Sequence, residues 1–234
     1  RHTRYWRDWS SDVCSSDLGF PIGNNTDGYL GDVMLVNGKS YPYLVVEPTQ
    51  VRMRMLGAST ARIWHLSVQD ANGVIQPHLR IGNDTWLLPN PIQMNEFTIS
   101  PAQRADVVMD FSGYAPGTEL YLVNTAEQNK GTGPQGTLDT IGTTGFSERI
   151  MKIVVAPKTA TTPTNSITVN SSLRGHTPIL PSEITNRRTF EFGRSNGMWQ
   201  INQTHWDSQI SNNPIPIGVA EEWTLRSEEH TSEL

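Results

Sequence analysis

Residues 81–112 read IGNDTWLLPNPIQMNEFTISPAQRADVVMDFS, and the fold follows from this stretch. Phe97 and Ile99 sit two apart and lead into Ser100-Pro101, a turn pair. After that turn Val107, Met109 and Phe111 alternate with Val108 and Asp110, and Ser112-Gly113 ends the run. Alternation with a period of two places one set of side chains on one face of a strand. The stretch therefore predicts strands joined by turns, and it contains no helical period.

The same grammar extends in both directions. Val33 to Val36, then Asn37-Gly38, then Tyr41 to Val46 predicts a hairpin, because both turn residues tolerate a left-handed backbone. Val51, Met53 and Met55 alternate with Arg52 and Arg54, and Trp64, Leu66 and Val68 share a face. Leu120 to Val123 and Arg149 to Val155 add two strands, and Thr189 to Phe192 and Met198 to Ile201 two more. Short strands at regular spacing indicate an all-β sandwich or barrel. Residues 125–147, rich in Gly, Thr and Gln, read as a mobile loop. Pro157 to Pro181, rich in Thr, Ser, Pro and Asn, reads as a linker too polar to offset its ordering entropy. A weak repeat relates Leu35-Val-Asn-Gly to Trp199-Gln-Ile-Asn, suggesting one hairpin in two copies of a domain type.

The ends read differently. Arg226 to Leu234 is RSEEHTSEL, and one DNA encoding of it, reverse-complemented and shifted by one base, translates as SSDVCSSDL, Ser10 to Leu18. The two ends are thus expected to be one DNA segment in opposite orientations, resembling a short-read sequencing adapter, and are set aside. Cys14, the only cysteine, lies in that tail, as do His2 and His230. Between the tails remain His65, His78, His176 and His205. With 18 Lys and Arg against 23 Asp and Glu, scattered, the chain offers no nucleic-acid surface. No apolar run approaches the ~18 residues of a membrane helix.

Gly31 to Pro48, GDVMLVNGKSYPYLVVEP, resembles the opening of the second cupredoxin domain of multicopper oxidases, in the bilirubin oxidase and spore-coat laccase branch. Arg52 to Val68 resembles the next two strands of that branch, with Gly57 standing where Asn is more usual. The Pro-x-x-Arg-x-Asp run Pro101 to Asp106, followed by an apolar strand and Phe-Ser, resembles a hallmark of the family. Ile201 to Asp207 and Gly218 to Leu225 resemble the start of the third domain. The resemblance implies an all-β, cupredoxin-like Greek-key sandwich with one complete domain and an incomplete second one. The expected plan is a non-native tail at 1–18, the second cupredoxin domain of the parent at 19–156, a linker at 157–187, the first part of the third domain at 188–225, and a non-native tail at 226–234. Arg104 and Asp106, two apart on one side of a strand start, are expected to fix their turn by a charge-assisted hydrogen bond. Met53, Met55 and Met109 are expected in the core.

The family's chemistry needs ligands that this stretch does not carry. A blue copper site takes a Cys thiolate and two His, often with an axial Met. The family's three-copper cluster takes His-x-His pairs from the first and third domains and a His-Cys-His near the C-terminus. Residues 19–225 hold no Cys and no His-x-His. No catalytic, cofactor-binding or metal-binding residue is expected in this segment: no cofactor here, copper in the parent. The partners implied are the first and third cupredoxin domains of the same parent, with no nucleic acid and no membrane. The parent would be a copper-dependent oxidoreductase with dioxygen as acceptor, and the segment alone inactive. The alternative is a copper-free cupredoxin relative with a structural, cell-division role. A third reading, an unrelated adhesion or carbohydrate-binding sandwich, is disfavoured by Pro101 to Ser112. The family suggests an extracellular, periplasmic or spore-coat location.

Overall fold

The computed structural model describes residues 28–136, 140–164, 166–211 and 213–227. The tail 1–18, Cys14 included, lies outside the described residues, as do Glu228 to Leu234. Among the described residues the regular structure is strand apart from one 3-10 turn, Pro181–Glu183. The chain divides into two compact units between Gly175 and His176, inside the expected linker.

Among its described residues the first unit carries twelve strands: β1 (Leu35–Val36), β2 (Lys39–Ser40), β3 (Tyr43–Val46), β4 (Gln50–Leu56), β5 (Trp64–Asp70), β6 (Ile75–Gln76), β7 (His78–Asn83), β8 (Trp86–Met94), β9 (Glu96–Ile99), β10 (Arg104–Asp110), β11 (Glu119–Asn124) and β12 (Glu148–Val155). One sheet runs β4-β10-β7-β8, the other β3-β12-β11-β5, with β6 and β9 both paired to β5. Neighbours are antiparallel except β3 and β12, which are parallel. The interior is the set that alternation selected. Val107, Met109 and Phe111 from one sheet meet Leu66, Val68, Phe97, Ile99, Leu120, Leu122, Ile153 and Val155, all in one buried cluster. Met53 and Met55 pack at its margin, the gap-filling role expected of a flexible thioether.

Turn chemistry fixes the register. Asn37 (φ 51°) and Gly38 (φ 77°) form the two-residue turn between β1 and β2, with Val36 opposite Lys39. Both residues are left-handed, which matches the twist of the flanking strands. At the other turn, Gln103 N–H donates to the Ser100 carbonyl (3.1 Å), and Ala102 takes φ 65°. This turn is clamped to Gly57 by Ala102 N–H to the Gly57 carbonyl (2.8 Å) and Gly57 N–H to the Gln103 carbonyl (3.0 Å). A Cβ on Gly57 would lie 2.3 Å from the Ser100 carbonyl oxygen and 2.8 Å from Ile99 Cγ2. In this chain residue 57 is glycine because the turn sits where a side chain would be. Gly57→Ala is expected to push the turn outward at a cost of about 1–3 kcal/mol. Urea unfolding would show this as a lower midpoint at unchanged slope.

Two segments read as loop and linker are held more firmly than composition suggested. At the base of the 125–147 loop, Thr125, Ala126, Gln128 and Ile141 are buried. The Gln128 amide accepts from Ile63 N–H (2.8 Å) and donates to the Ala61 and Lys130 carbonyls (3.1 and 3.0 Å). One polar side chain thereby satisfies backbone groups that water would otherwise have to reach. The 157–175 segment is tied down by hydrogen bonds rather than by apolar burial. Thr159 Oγ1 donates to Glu47 (2.8 Å), and Thr49 Oγ1 donates to the Pro163 carbonyl (2.8 Å). The Gln50 amide accepts from Ser166 and Ile167 N–H (3.1 and 3.0 Å) and donates to the Ile167 carbonyl (2.7 Å). Further on, Asn90 donates to the Ser171 carbonyl (3.0 Å), Leu173 N–H donates to the Pro89 carbonyl (2.9 Å), and the Arg174 guanidinium lies 4.2 Å from the Trp86 ring centre. Gln50 is on β4 and Pro89–Asn90 on β8, the two edges of the four-stranded sheet. The segment is a strap across that sheet. Val108 points away from the interior, yet is only 4 % exposed, as a covered face requires.

The second unit has strands β13 (Ile184–Ser195), β14 (Met198–Ile201), β15 (Thr204–His205) and β16 (Ala220–Ser227), in the order β15-β14-β13-β16. Asn202 (φ 51°) and Gln203 (φ 61°) turn Ile201 onto Thr204 with the geometry of Asn37-Gly38, so the weak repeat marks the same kind of turn in both units. β13 starts at Ile184, ahead of the expected residue 188. β16 continues through Arg226 and Ser227, opposite Glu191 and Phe192. A backbone ladder makes no demand on those two side chains. Register places Phe190, Phe192, Trp199, Ile201, Trp223 and Leu225 on one face. Of these only Phe190 is buried. A sandwich domain needs a second inner face over such a surface, and the described residues of this unit supply one sheet.

Candidate functional site

The histidines are the natural place to look for metal chemistry, and the sandwich spends them locally. His65 is on β5, opposite Thr98 of β9. Its Nδ1 lies 3.0 Å from Thr98 Oγ1 and its Nε2 3.5 Å from Glu96 Oε2. Gly142 of the 125–147 loop sits against the ring, its Cβ position 2.9 Å from His65 Cδ2. His65 alternates with Trp64 and Leu66, which by itself predicts a surface or backbone-paired residue. The side chain is instead 13 % exposed and held by side chains.

His78 departs further from its sequence reading. It opens β7 after Pro77 and looks like a loop residue in sequence, but it is 2 % exposed. Pairing with Met94 turns its ring inward, where it meets the Phe97 ring edge-on at 4.9 Å. Neither ring nitrogen has a hydrogen-bond partner. Burial, with the Arg80 charge nearby, pushes the imidazole down to about 4. Arg80 is buried too. Its Nε donates to the Gly82 carbonyl (2.9 Å) and Asn83 Oδ1 (2.7 Å), and burial lowers its pKa while Asp84 and Asp106 oppose that. In the second unit His205 Nδ1 lies 3.2 Å from the Trp199 carbonyl. His176 falls at the start of that unit, outside any strand.

Arg104 and Asp106 each make a charge-assisted hydrogen bond, but with different partners. Asp106 takes Arg52 of β4 in a two-point ion pair, with Nε to Oδ1 at 2.8 Å and Nη2 to Oδ2. Register sets Asp106 opposite Arg54, so Arg52 is the diagonal neighbour, within reach of a long side chain. Arg104 turns to Asp84 (3.3 Å) and the Ala102 carbonyl (3.1 Å). The hallmark run therefore fastens β10 to β4 and to the turn between β7 and β8. A second ionic knot, invisible in the sequence, joins β13 to β16. Arg188 donates to Glu221 (2.9 Å), as do Trp223 Nε1 (2.9 Å) and Asn186 Nδ2 (3.2 Å). Arg188 first, then Trp223, hold the Glu221 carboxyl down at about 2. A shallow polar hollow of 430 Å³ is lined by Asp32, Arg62, Glu127, Asn129, Phe146 and Glu148 among others.

Among the described residues the histidines do not fit a copper site. His65 and His205 are engaged, and His78 faces an apolar ring beside an arginine, an environment that repels a cation. No group of three or more His, Cys, Asp or Glu among the described residues could hold a metal ion. No helix among the described residues is long and apolar enough to cross a membrane.

A two-sheet β-sandwich followed by a separate four-stranded sheet is the make-up of a cupredoxin-type chain of the multicopper oxidase kind. Its homologues make the assignment specific. The chain is 34 % identical over 205 residues to bilirubin oxidase from Albifimbria verrucaria, a match covering 85 % of this chain and 34 % of that one. It is 28 % identical over 204 residues to a laccase from Bacillus subtilis, covering 84 % and 36 %. It is also 28 % identical over 207 residues to the cell division protein FtsP of Edwardsiella tarda, covering 87 % and 40 %. Among solved structures, the McoA multicopper oxidase of Aquifex aeolicus superposes with a TM-score of 0.64 at 25 % identity, over 83 % of this chain and 40 % of that one. No family model matches the chain. The chain spans little more than a third of the length of these curated relatives.

Proposed function

We propose that this chain is the structural, copper-free central part of a multicopper oxidase. The parent oxidises phenolic, bilirubin-like or metal-ion substrates and reduces dioxygen to water, outside the cytoplasm. The observation that carries this reading is the likeness to bilirubin oxidase along 85 % of the chain. In the proposal the segment is a spacer: its rigid sandwich holds the first and third domains, which supply the ligands, at the spacing their shared cluster requires. The tails at 1–18 and 226–234 are, in the same proposal, not part of the parent.

The likeness to FtsP supports a second reading, a copper-free parent with a role in cell division. One experiment separates the two. Sequencing the source locus outward from Gly19 and Leu225 is expected to give two His-x-His pairs upstream, and His-Pro-x-His-x-His and then His-Cys-His downstream. A third domain with those positions replaced would transfer the function to the copper-free reading. Native codons for RSEEHTSEL would refute the account of the tails. The chain itself, loaded with copper and dialysed, is expected to retain no stoichiometric metal and to show no blue absorption band. Retained copper with phenol oxidation would overturn the spacer assignment.

A further inference from the structure

We propose that the strap is a clamp that shortens the tether between the two units. Composition alone gives a free linker over Pro157 to Pro181, about 25 residues and up to ~88 Å at full extension. The structure fastens this segment at Glu47, Thr49, Gln50, Pro89–Asn90 and Trp86. Arg174 is the last of these anchors, and the 3-10 turn leading into β13 begins at Pro181. The free tether then falls to residues 175–181, about seven residues and at most ~25 Å. Two chain segments joined by a shorter tether meet more often. Scaling as the −3/2 power of length, the change from about 25 to about seven residues raises their effective concentration about sevenfold. The anchors suit this task. Gln50 holds the strap with three hydrogen bonds from one side chain, and the Arg174 guanidinium stacks on an exposed indole. Neither anchor is part of the buried core. The clamp can therefore be released while the sandwich stays folded. This inference stands on the geometry of the first unit and does not depend on the parent's activity.

The test uses the whole chain and a Gln50→Ala/Trp86→Ala variant. Hydrogen exchange in the unaltered chain is expected to show the Ile167 and Leu173 amides protected at least about tenfold. In the variant both should reach unprotected rates while Val107 and Ile153 keep their protection. Arg174→Gln, which alters no strand, should raise exchange at Leu173 and leave Ile167 slow. Dye pairs at Gly113→Cys and Ser208→Cys, in a Cys14→Ser background, report the spread of distances between the units. That spread should be narrow in the unaltered chain and broad in the variant. Unprotected strap amides in the unaltered chain would overturn the clamp, as would strap and core protection falling together. An unchanged spread after release of the strap would overturn its tethering role.

Discussion

Phe111→Ala is expected to lower the unfolding free energy of the first unit by about 3–5 kcal/mol, the usual cost of truncating a fully buried phenylalanine. Phe111 is 1 % exposed and closes the inner row of β10 after Val107 and Met109. Its backbone is committed as well: its N–H donates to the Thr49 carbonyl (3.0 Å), and its carbonyl accepts from Tyr114 N–H (3.1 Å). Tyr114 packs at a ring distance of 6.5 Å and donates its hydroxyl to Gln76 (2.5 Å). The surroundings are thus pinned and cannot collapse into the space left behind, which places the cost toward the upper end. Domains of this size are stable by about 5–15 kcal/mol, so the variant should retain a fraction of that. Denaturant titration followed by tryptophan fluorescence measures it. A loss below about 1 kcal/mol would mean that the cavity refills and the packing is looser than described.

The second large effect is on acid stability. The His78 imidazole is held at about 4 in the folded chain against an ordinary value of 6.5. The unfolded chain therefore takes up this proton first. Stability from this group is complete above pH 6.5, drains as the pH falls toward 4, and levels off below. The gap corresponds to about 3 kcal/mol. His78→Leu removes a ring whose two nitrogens have no partner and should flatten that part of the profile. Unfolding midpoints of parent and variant at pH 7.5 and 4.5 make the comparison, and contributions from carboxylates cancel in the difference. A parent that loses no more stability than the variant would show that His78 finds a proton partner or water in the folded state.

What could be read from the sequence was what depends on neighbours along the chain. The alternation of Val107, Met109 and Phe111 is a property of one strand, and the Asn37-Gly38 turn of two residues. What could not be read depends on register between distant segments. The partner of Asp106 is Arg52 because β4 pairs with β10 in one particular alignment, and no spacing within Pro101 to Asp106 reveals it. Gly57 looks like a small departure from its family until the 100–103 turn is seen lying on it. His78 follows a proline and looks peripheral, yet its pairing with Met94 turns it inward. Polar composition misled for the strap and for the base of the 125–147 loop, since both are anchored by side-chain amides to backbone groups. Copper ligands were read as missing because the family's ligand pattern is local, a His-x-His or a His-Cys-His within one strand.

The parallel pairing of β3 with β12 has a consequence for synthesis. Val46 is one of the first residues of the sandwich to leave the ribosome, and its ladder partner Val155 is the last. A chain made at about 5–20 residues per second must leave that edge open for several seconds. During that time Tyr43 to Val46 present an unpaired, apolar strand to every other nascent copy nearby. The edge then closes with Val155, and residues 159–174 follow directly behind. The strap is thus the first piece of chain to arrive at a finished surface, with no competing partner left on the sandwich.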